Sequence, residues 1–295
     1  MRVAVTGGAG FLGSHVADVL AEEGHDVTIV DLVERPGHRT ALADIGDRPG
    51  LERALRQQQS ICHLAGVGDI YVAERDPVLA AQVNVMGTAN VCEAALRAGV
   101  AKLIYASTWE VYGAPRYEPM DEAHPTSPTH PYGVTKLAGE QLALAYGDLR
   151  GLGAAALRLG TAYGTRMRPN SVFSIFIERA RRGEPLILQG GGRQSRQFTH
   201  ARDIGRAFAL ALGRAQSGRI YNIVNERSVT IRQLADEVVA RLPTSIEEAS
   251  ARSHEIPAAR VSSARARAEL GWTAETDFST GMRTLLDEAF TASRS

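Results

Sequence analysis

A doubly wound α/β fold is predicted by three observations. Short β-branched runs alternate with longer amphipathic stretches through the first half of the chain, a glycine-rich turn separates the first strand from the first helix, and the texture changes near residue 160. Strands are expected at 3–6, 26–31, 60–64, 102–107 and 154–159, each a short apolar run suited to a buried parallel sheet. Helical periodicity fills the gaps, notably over 12–23, 51–57, 79–98 and 132–146. Beyond residue 160, loops rich in Gly, Arg and Pro alternate with helices near 171–182, 203–212 and 231–241. The expected division is a parallel-sheet domain over 1–160 and a smaller C-terminal α/β lobe over 161–295, with a strand at 220–224 a candidate to return to the first domain.

Composition narrows the class of function. The 295 residues carry 33 basic and 33 acidic side chains, a formal net charge of zero. That balance is poorly suited to nucleic acid, whose phosphates call for a surplus of Lys and Arg. With 44% hydrophobic and 22% charged residues the chain has the composition of a folded globule. No apolar run reaches the roughly 18 to 20 residues of a bilayer span, and the opening MRVAVTGG is not a charged segment followed by an apolar one. A cytoplasmic protein without membrane partners is expected. Cys62 and Cys92 are too few for a disulfide framework and are read as small buried hydrophobes. Lys occurs only at 102 and 136, against 31 arginines, so a surviving lysine marks a position that a planar guanidinium serves badly.

The first strand runs into GGAGFLG, with glycines at 7, 10 and 13, and then into a helix. Glycine permits the sharp turn and lets backbone N–H groups approach a pyrophosphate at the positive end of that helix. The next strand ends in Asp31, 18 residues beyond Gly13, where a carboxylate accepts hydrogen bonds from the ribose of an adenosine. The same charge repels a 2′-phosphate, so NAD is expected over NADP. His63 reads as a strand histidine, and no His/Cys/Asp grouping has metal-ligand spacing.

A second constellation follows. Pro131 suits the first turn of a helix, on which Tyr132 and Lys136 are i and i+4 and share a face. Bringing a phenol from its ordinary pKa near 10 to about 7 takes roughly 4 kcal/mol, which one positive charge about 4 Å away supplies at an effective dielectric near 20. Lys136 is therefore expected to make Tyr132 a usable general base. Upstream, the strand KLIYAS ends in Ser107-Thr108-Trp109-Glu110, and a strand end of a doubly wound sheet faces the ligand crevice. Thr108 can share the proton of the substrate hydroxyl that Tyr132 takes, and Glu110 can position a sugar or assist the transfer.

The segments GGAGFLGSH, VTIVD, ADIGD, HLAG, NVMGTANVCEAA, STWEVYG, HPYGVTK and AELGW, in this order, resemble the extended short-chain dehydrogenase/reductase family, in particular its NAD-dependent nucleotide-sugar epimerases and dehydratases. The resemblance implies a Rossmann domain holding NAD, a C-terminal nucleotide-sugar lobe and a homodimer joined through two helices per subunit; the amphipathic helices containing Asn90 and Lys136 can pair across a two-fold axis or serve the core equally well. It implies NAD contacts at Gly7, Gly10, Phe11, Leu12, Gly13, Asp31, Asp44, Ile45, Leu64, Ala65, Asn84, Tyr132 and Lys136, and a catalytic set of Thr108, Tyr132 and Lys136 with Glu110 beside it. It further implies substrate contacts at Thr108, Tyr132 and Thr161, with Arg196 and Arg252 on the nucleotide diphosphate and Arg260 as a weaker third; guanidinium groups suit phosphate oxygens.

Three departures from the family pattern stand out. The connection from Asp31 to Asp44 is short, so a loop or strand usual there is trimmed. Thr161 stands where the family often has Asn. Trp109 stands where the dehydratases carry an acid, and an indole cannot act as a carboxylic acid. The resulting expectation is a UDP-sugar 4-epimerase: Tyr132 removes the 4-hydroxyl proton as hydride passes to NAD, the 4-keto sugar rotates, and hydride returns to its other face. The rivals are a UDP-uronic acid decarboxylase or a nucleotide-sugar 4,6-dehydratase using the same oxidation with Glu110 as auxiliary acid/base, and a non-catalytic NAD-binding module.

Overall fold

The computed structural model describes residues 1–250 and 259–291. Six strands open the chain: β1 (Arg2–Thr6), β2 (Asp26–Asp31), β3 (Arg39–Leu42), β4 (Ser60–His63), β5 (Lys102–Thr108) and β6 (Gly153–Leu159). Short strands follow, β7 (Thr161–Tyr163), β8 (Leu186–Gln189), β9 (Ser195–Arg196) and β10 (Phe198–His200), then β11 (Ile220–Ile223), β12 (Val229–Thr230) and β13 (Ile246–Ala249). Seven of them form one parallel sheet in the order β11-β6-β5-β4-β1-β2-β3. The chain winds outward from β1 to β3, then crosses over to β4, so the order reverses beside β1. That reversal opens a crevice at the carboxyl ends of the strands, where ligands of open α/β sheets bind.

Helices α1 (Phe11–Glu22), α2 (Arg48–Ala54), α3 (Ile70–Arg75), α4 (Pro77–Ala81), α5 (Thr88–Ala98), α6 (Pro131–Arg150), α7 (Val172–Arg181), α8 (Ala201–Arg214), α9 (Ile231–Val239) and α10 (Phe278–Thr291) complete the fold. Their apolar faces make three cores. Val16, Leu20, Phe208 and Trp272 cover one face of the sheet, and Leu51, Val91, Leu103 and Ala143 fill the other. Phe173, Phe198, Leu234, Phe278 and Met282 form the separate core of the later lobe. Residues after 160 thus serve two cores. The expected strand at 220–224 joins the main sheet beside β6, and α8 packs on α1. A buried carboxylate ties α8 to the segment before α10: Asp203, on α8, accepts the Thr276 N–H and hydroxyl, both at 3.0 Å, and its carbonyl accepts the Trp272 indole N–H at 2.8 Å.

The structure departs from the sequence-based expectation at two informative places. The short link from Asp31 to Asp44 keeps a strand, β3, in four edge residues paired to β2. The helix expected unbroken over 79–98 contains a π-helical turn, Gln82–Gly87, with Asn84 buried inside it. Such turns locally rotate a helix and recur at functional sites. Among the described residues no helix is long and apolar enough to cross a membrane.

Candidate active site

The crevice is built first from backbone. Gly7 has φ +69°, and a Cβ on it would lie 2.7 Å from the Ala65 nitrogen and 2.9 Å from the Leu64 carbonyl carbon. A Cβ on Gly13 would collide with the Gly7 carbonyl oxygen. The β1–α1 turn therefore packs directly against the Leu64–Ala65 segment after β4. Gly10, Phe11 and Leu12 carry the turn into the N-terminus of α1, where free N–H groups favour an anion. Asp31 faces the same turn, its Oδ2 accepting the Ala9 N–H at 2.9 Å and its Oδ1 the Leu32 N–H at 2.7 Å. Asp44 is exposed and closes its own turn by accepting the Gly46 N–H, while Ile45 is buried against Gly87. The cradle fits a dinucleotide: its glycines cannot carry side chains, its helix end attracts phosphate, and its carboxylate suits a ribose.

Asn84 clips this turn to the catalytic helix. Its Oδ1 accepts the Val67 N–H at 2.7 Å, and its Nδ2 donates to the Val67 carbonyl at 3.1 Å and the Thr135 hydroxyl at 3.0 Å. His63 is held between Thr6 and Thr88 hydroxyls at 2.6 and 3.0 Å, and burial, aided by the Lys136 charge, pulls its pKa down to about 3. It is a satisfied core histidine, as its sequence setting indicated.

Thr108 ends β5 and caps the 3₁₀ turn Trp109–Val111. The Tyr132 phenol stands across the crevice, close enough for the Thr108 hydroxyl to favour its charged form. Lys136 lies one turn further along α6, almost wholly buried, with Nζ 4.3 Å from the centroid of the Tyr105 ring. The electrostatics differ from the sequence-based expectation that Lys136 would pull the phenol down. Burial pushes Tyr132 up to about 12, with Glu110 adding to the rise and the Thr108 hydrogen bond and Arg168 opposing it. Burial brings Lys136 down to about 7 despite the Glu140 charge. The spacing placed both groups on one face, but it also placed both in low dielectric, which disfavours each charged form. Glu140 itself is buried in an ion pair with Arg158, N···O 2.6 Å, beneath the lysine.

On the far side of Trp109 lies a small pocket of about 10 Å³. It brings together three residues singled out from the sequence, Trp109, Thr161 and Arg196, with Gly160, Gln197 and Val224 beside them. Arg196 sits on β9 and donates to the Ser195 carbonyl at 2.7 Å. Arg260 is exposed and bonded to Glu118 through its backbone N–H, 2.9 Å. Arg252 lies outside the described residues. The other lysine, Lys102, donates to the Leu212 carbonyl at 3.0 Å and has a structural role. Sequence reasoning passed over His130, Arg168 and Tyr105. Arg168, paired to Asp69 at 2.9 Å, is one arginine among 31, and nothing local marked it. His130 directly precedes Pro131, and that N-cap position was the available signal.

A Rossmann crevice with a buried Thr and Lys and a half-buried Tyr at its mouth defines a nucleotide-dependent enzyme of the extended short-chain type. Residues 3–224 match the NAD dependent epimerase/dehydratase family, and the chain belongs to it. The chain is 31% identical to a UDP-glucose 4-epimerase of Mycolicibacterium smegmatis over 291 residues, 92% of this chain and 93% of that one. It is 33% identical to a UDP-N-acetyl-alpha-D-glucosaminuronate decarboxylase of Bacillus cytotoxicus, over 80% and 79% of the two chains. Its fold matches the crystal structure of a Thermus thermophilus UDP-glucose 4-epimerase in complex with NAD, with a TM-score of 0.89, 32% identity and coverage of 99% and 100%.

Proposed function

We propose that this protein is an NAD-dependent nucleotide-sugar 4-epimerase acting on a UDP-sugar. The observation that carries the reading is the placement of Thr108 at the end of β5 beside Tyr132, with Lys136 one turn further along α6, between a dinucleotide cradle and a pocket containing Arg196. Bound NAD supplies a hydride acceptor for the sugar carbon at position 4 and a positive charge near the phenol. Gly7, Gly10, Gly13 and Asp31 hold it, with Ile45, Leu64, Ala65 and Asn84 shaping the walls of the cradle. Tyr132 takes the proton of the 4-hydroxyl when that carbon is oxidised and returns it when the carbon is reduced. Thr108 shares the proton in both directions. Arg168 favours the phenolate against the burial that opposes it, as does the positive charge of the bound cofactor. Arg196 and Arg252 hold the diphosphate while the sugar turns between its two faces. Trp109 provides no carboxylic acid for elimination of water, which favours epimerisation over dehydration.

The reading includes a division near residue 160 into an NAD domain and a nucleotide-sugar lobe, and a cytoplasmic site of action, which two buried free thiols suit. It also includes a homodimer. Tyr71, Val78, Met86 and Val134, on α3, α4, the π-helical turn and α6, are large apolar side chains left exposed. Light scattering should give twice the 31.7 kDa chain mass.

The deciding experiment is a proton NMR time course with NAD and, separately, UDP-hexose, UDP-N-acetylhexosamine and UDP-hexuronic acid. A stable mixture of two 4-epimers from one substrate is expected. Accumulation of a pentose or of a 4-keto sugar would replace this reading with decarboxylation or dehydration.

A further inference from the structure

The first turn of α6 is held by a residue that the proposed reaction does not use. His130 is its N-cap: Nδ1 accepts the Gly133 backbone N–H at 3.1 Å. A ring nitrogen that accepts carries no proton, so in the neutral imidazole the proton sits on Nε2. Nε2 lies 3.2 Å from Glu110 Oε2 and donates to that carboxylate. The imidazole lies 3° from coplanar with the Tyr132 ring, with centroids 6.0 Å apart. The turn is tightly packed at Gly133. A Cβ on Gly133 would meet the Pro128 side chain at 2.9 Å and the Glu110 carbonyl at 3.1 Å. His130, Glu110 and Tyr132 form one unit that ties the end of β5 to the start of α6.

We propose that His130 is a positioning residue for the proton-transferring phenol: it fixes the helical turn that presents Tyr132 and holds the Glu110 carboxylate off the phenol, leaving that hydroxyl to Thr108 and the substrate. The proposal rests on the reading of Tyr132 as the base. Thr108 and Tyr105 approach the phenol from β5, Glu110 from the turn after it, His130 and Lys136 from α6 and its cap, and Arg168 from the loop after β7. Glu110 is the anion of this set. A charge-assisted bond from Nε2–H occupies the carboxylate and sets its direction. Without that bond the carboxylate becomes an acceptor for the neighbouring hydroxyls, and a phenol that donates to a carboxylate keeps its proton.

Two substitutions separate this role from scaffolding. His130→Asn keeps an oxygen that can cap Gly133 but falls short of Glu110. Glu110→Gln keeps an acceptor for Nε2–H and removes the charge. Rates are measured for both, for the double variant and for Tyr132→Phe, from about pH 6 to about pH 10. In His130→Asn the ascending limb of kcat/KM should move up by about one pH unit with KM for the nucleotide sugar within about twofold. In Glu110→Gln it should move down, and in that background His130→Asn should have no further effect. Ultraviolet titration of each variant against its Tyr132→Phe counterpart reads the same phenol without turnover. A His130→Asn rate lowered equally at every pH and additive with Glu110→Gln would overturn the proposal, as would an unshifted profile beside an inactive Tyr132→Phe. Activity retained by Tyr132→Phe would instead remove the base reading, and this proposal with it.

Discussion

The cofactor side and the sugar side of the crevice are made of different material. On the cofactor side, backbone packs on backbone: the Gly7 turn touches the Leu64–Ala65 segment, and Asp31 and Asn84 spend their hydrogen bonds on peptide groups of neighbouring loops. On the sugar side, side chains line a pocket beside a strand as short as Ser195–Arg196. A site framed by backbone tolerates few changes, because any added atom displaces the chain itself. A site framed by side chains can be altered one residue at a time.

Four measurements would break or sharpen that contrast. The largest effect is expected where the two sides meet: Tyr132→Phe should lower kcat by about 10³-fold, within the usual range for a general acid–base group, while NAD stays bound. On the cofactor side, Gly7→Ala puts a Cβ in a left-handed turn against the Ala65 nitrogen, and NAD affinity in a binding titration should fall by about 100-fold, roughly 3 kcal/mol. A milder loss there than on the sugar side would break the contrast.

Acid should act between these effects. The unfolded chain protonates His63 near its ordinary pKa of 6.5, whereas the folded chain keeps it neutral down to about 3. Below pH 6.5 the unfolded state therefore binds more protons, and stability falls with pH. Between about pH 8 and 5 the loss is about 2 kcal/mol, roughly 30-fold in the folding equilibrium. Thermal melting across that window tests it, and a flat profile would count against the buried neutral histidine. The smallest change is expected from Arg196→Ala, which should raise KM for the nucleotide sugar about 10-fold and leave kcat within about twofold. A kcat loss equal to the KM effect would place Arg196 with the reacting groups instead.

Much of this was legible along the chain because the signals are local. Gly7, Gly10 and Gly13 between a strand and a helix, Asp31 at the next strand end, and Tyr132 and Lys136 at i and i+4 are patterns set by turn and helix geometry within a few residues. The partners that tune them were not legible. His130 reaches Glu110 across 20 residues, Asn84 reaches Thr135 across 51, and Arg166, carrying the α1 carboxylate Asp18, does so across 148. The protonation behaviour of Tyr132 and Lys136 was misjudged for the same reason, since sequence spacing gives their separation but not the depth at which both are buried.

By itself, then, the sequence determined five strands of the parallel sheet with the helices between them, the glycine turn of the cradle, and the placement of Tyr132 and Lys136 on one helix face, because each depends on periodicity or on a backbone conformation that only certain residues permit. Tertiary structure alone decided that α8 packs on α1, that Trp109, Thr161 and Arg196 meet in one pocket, and that burial opposes the charge of both phenol and ammonium. Those outcomes depend on contacts between residues far apart in the chain and on exclusion of water, which exist only once the layers have packed.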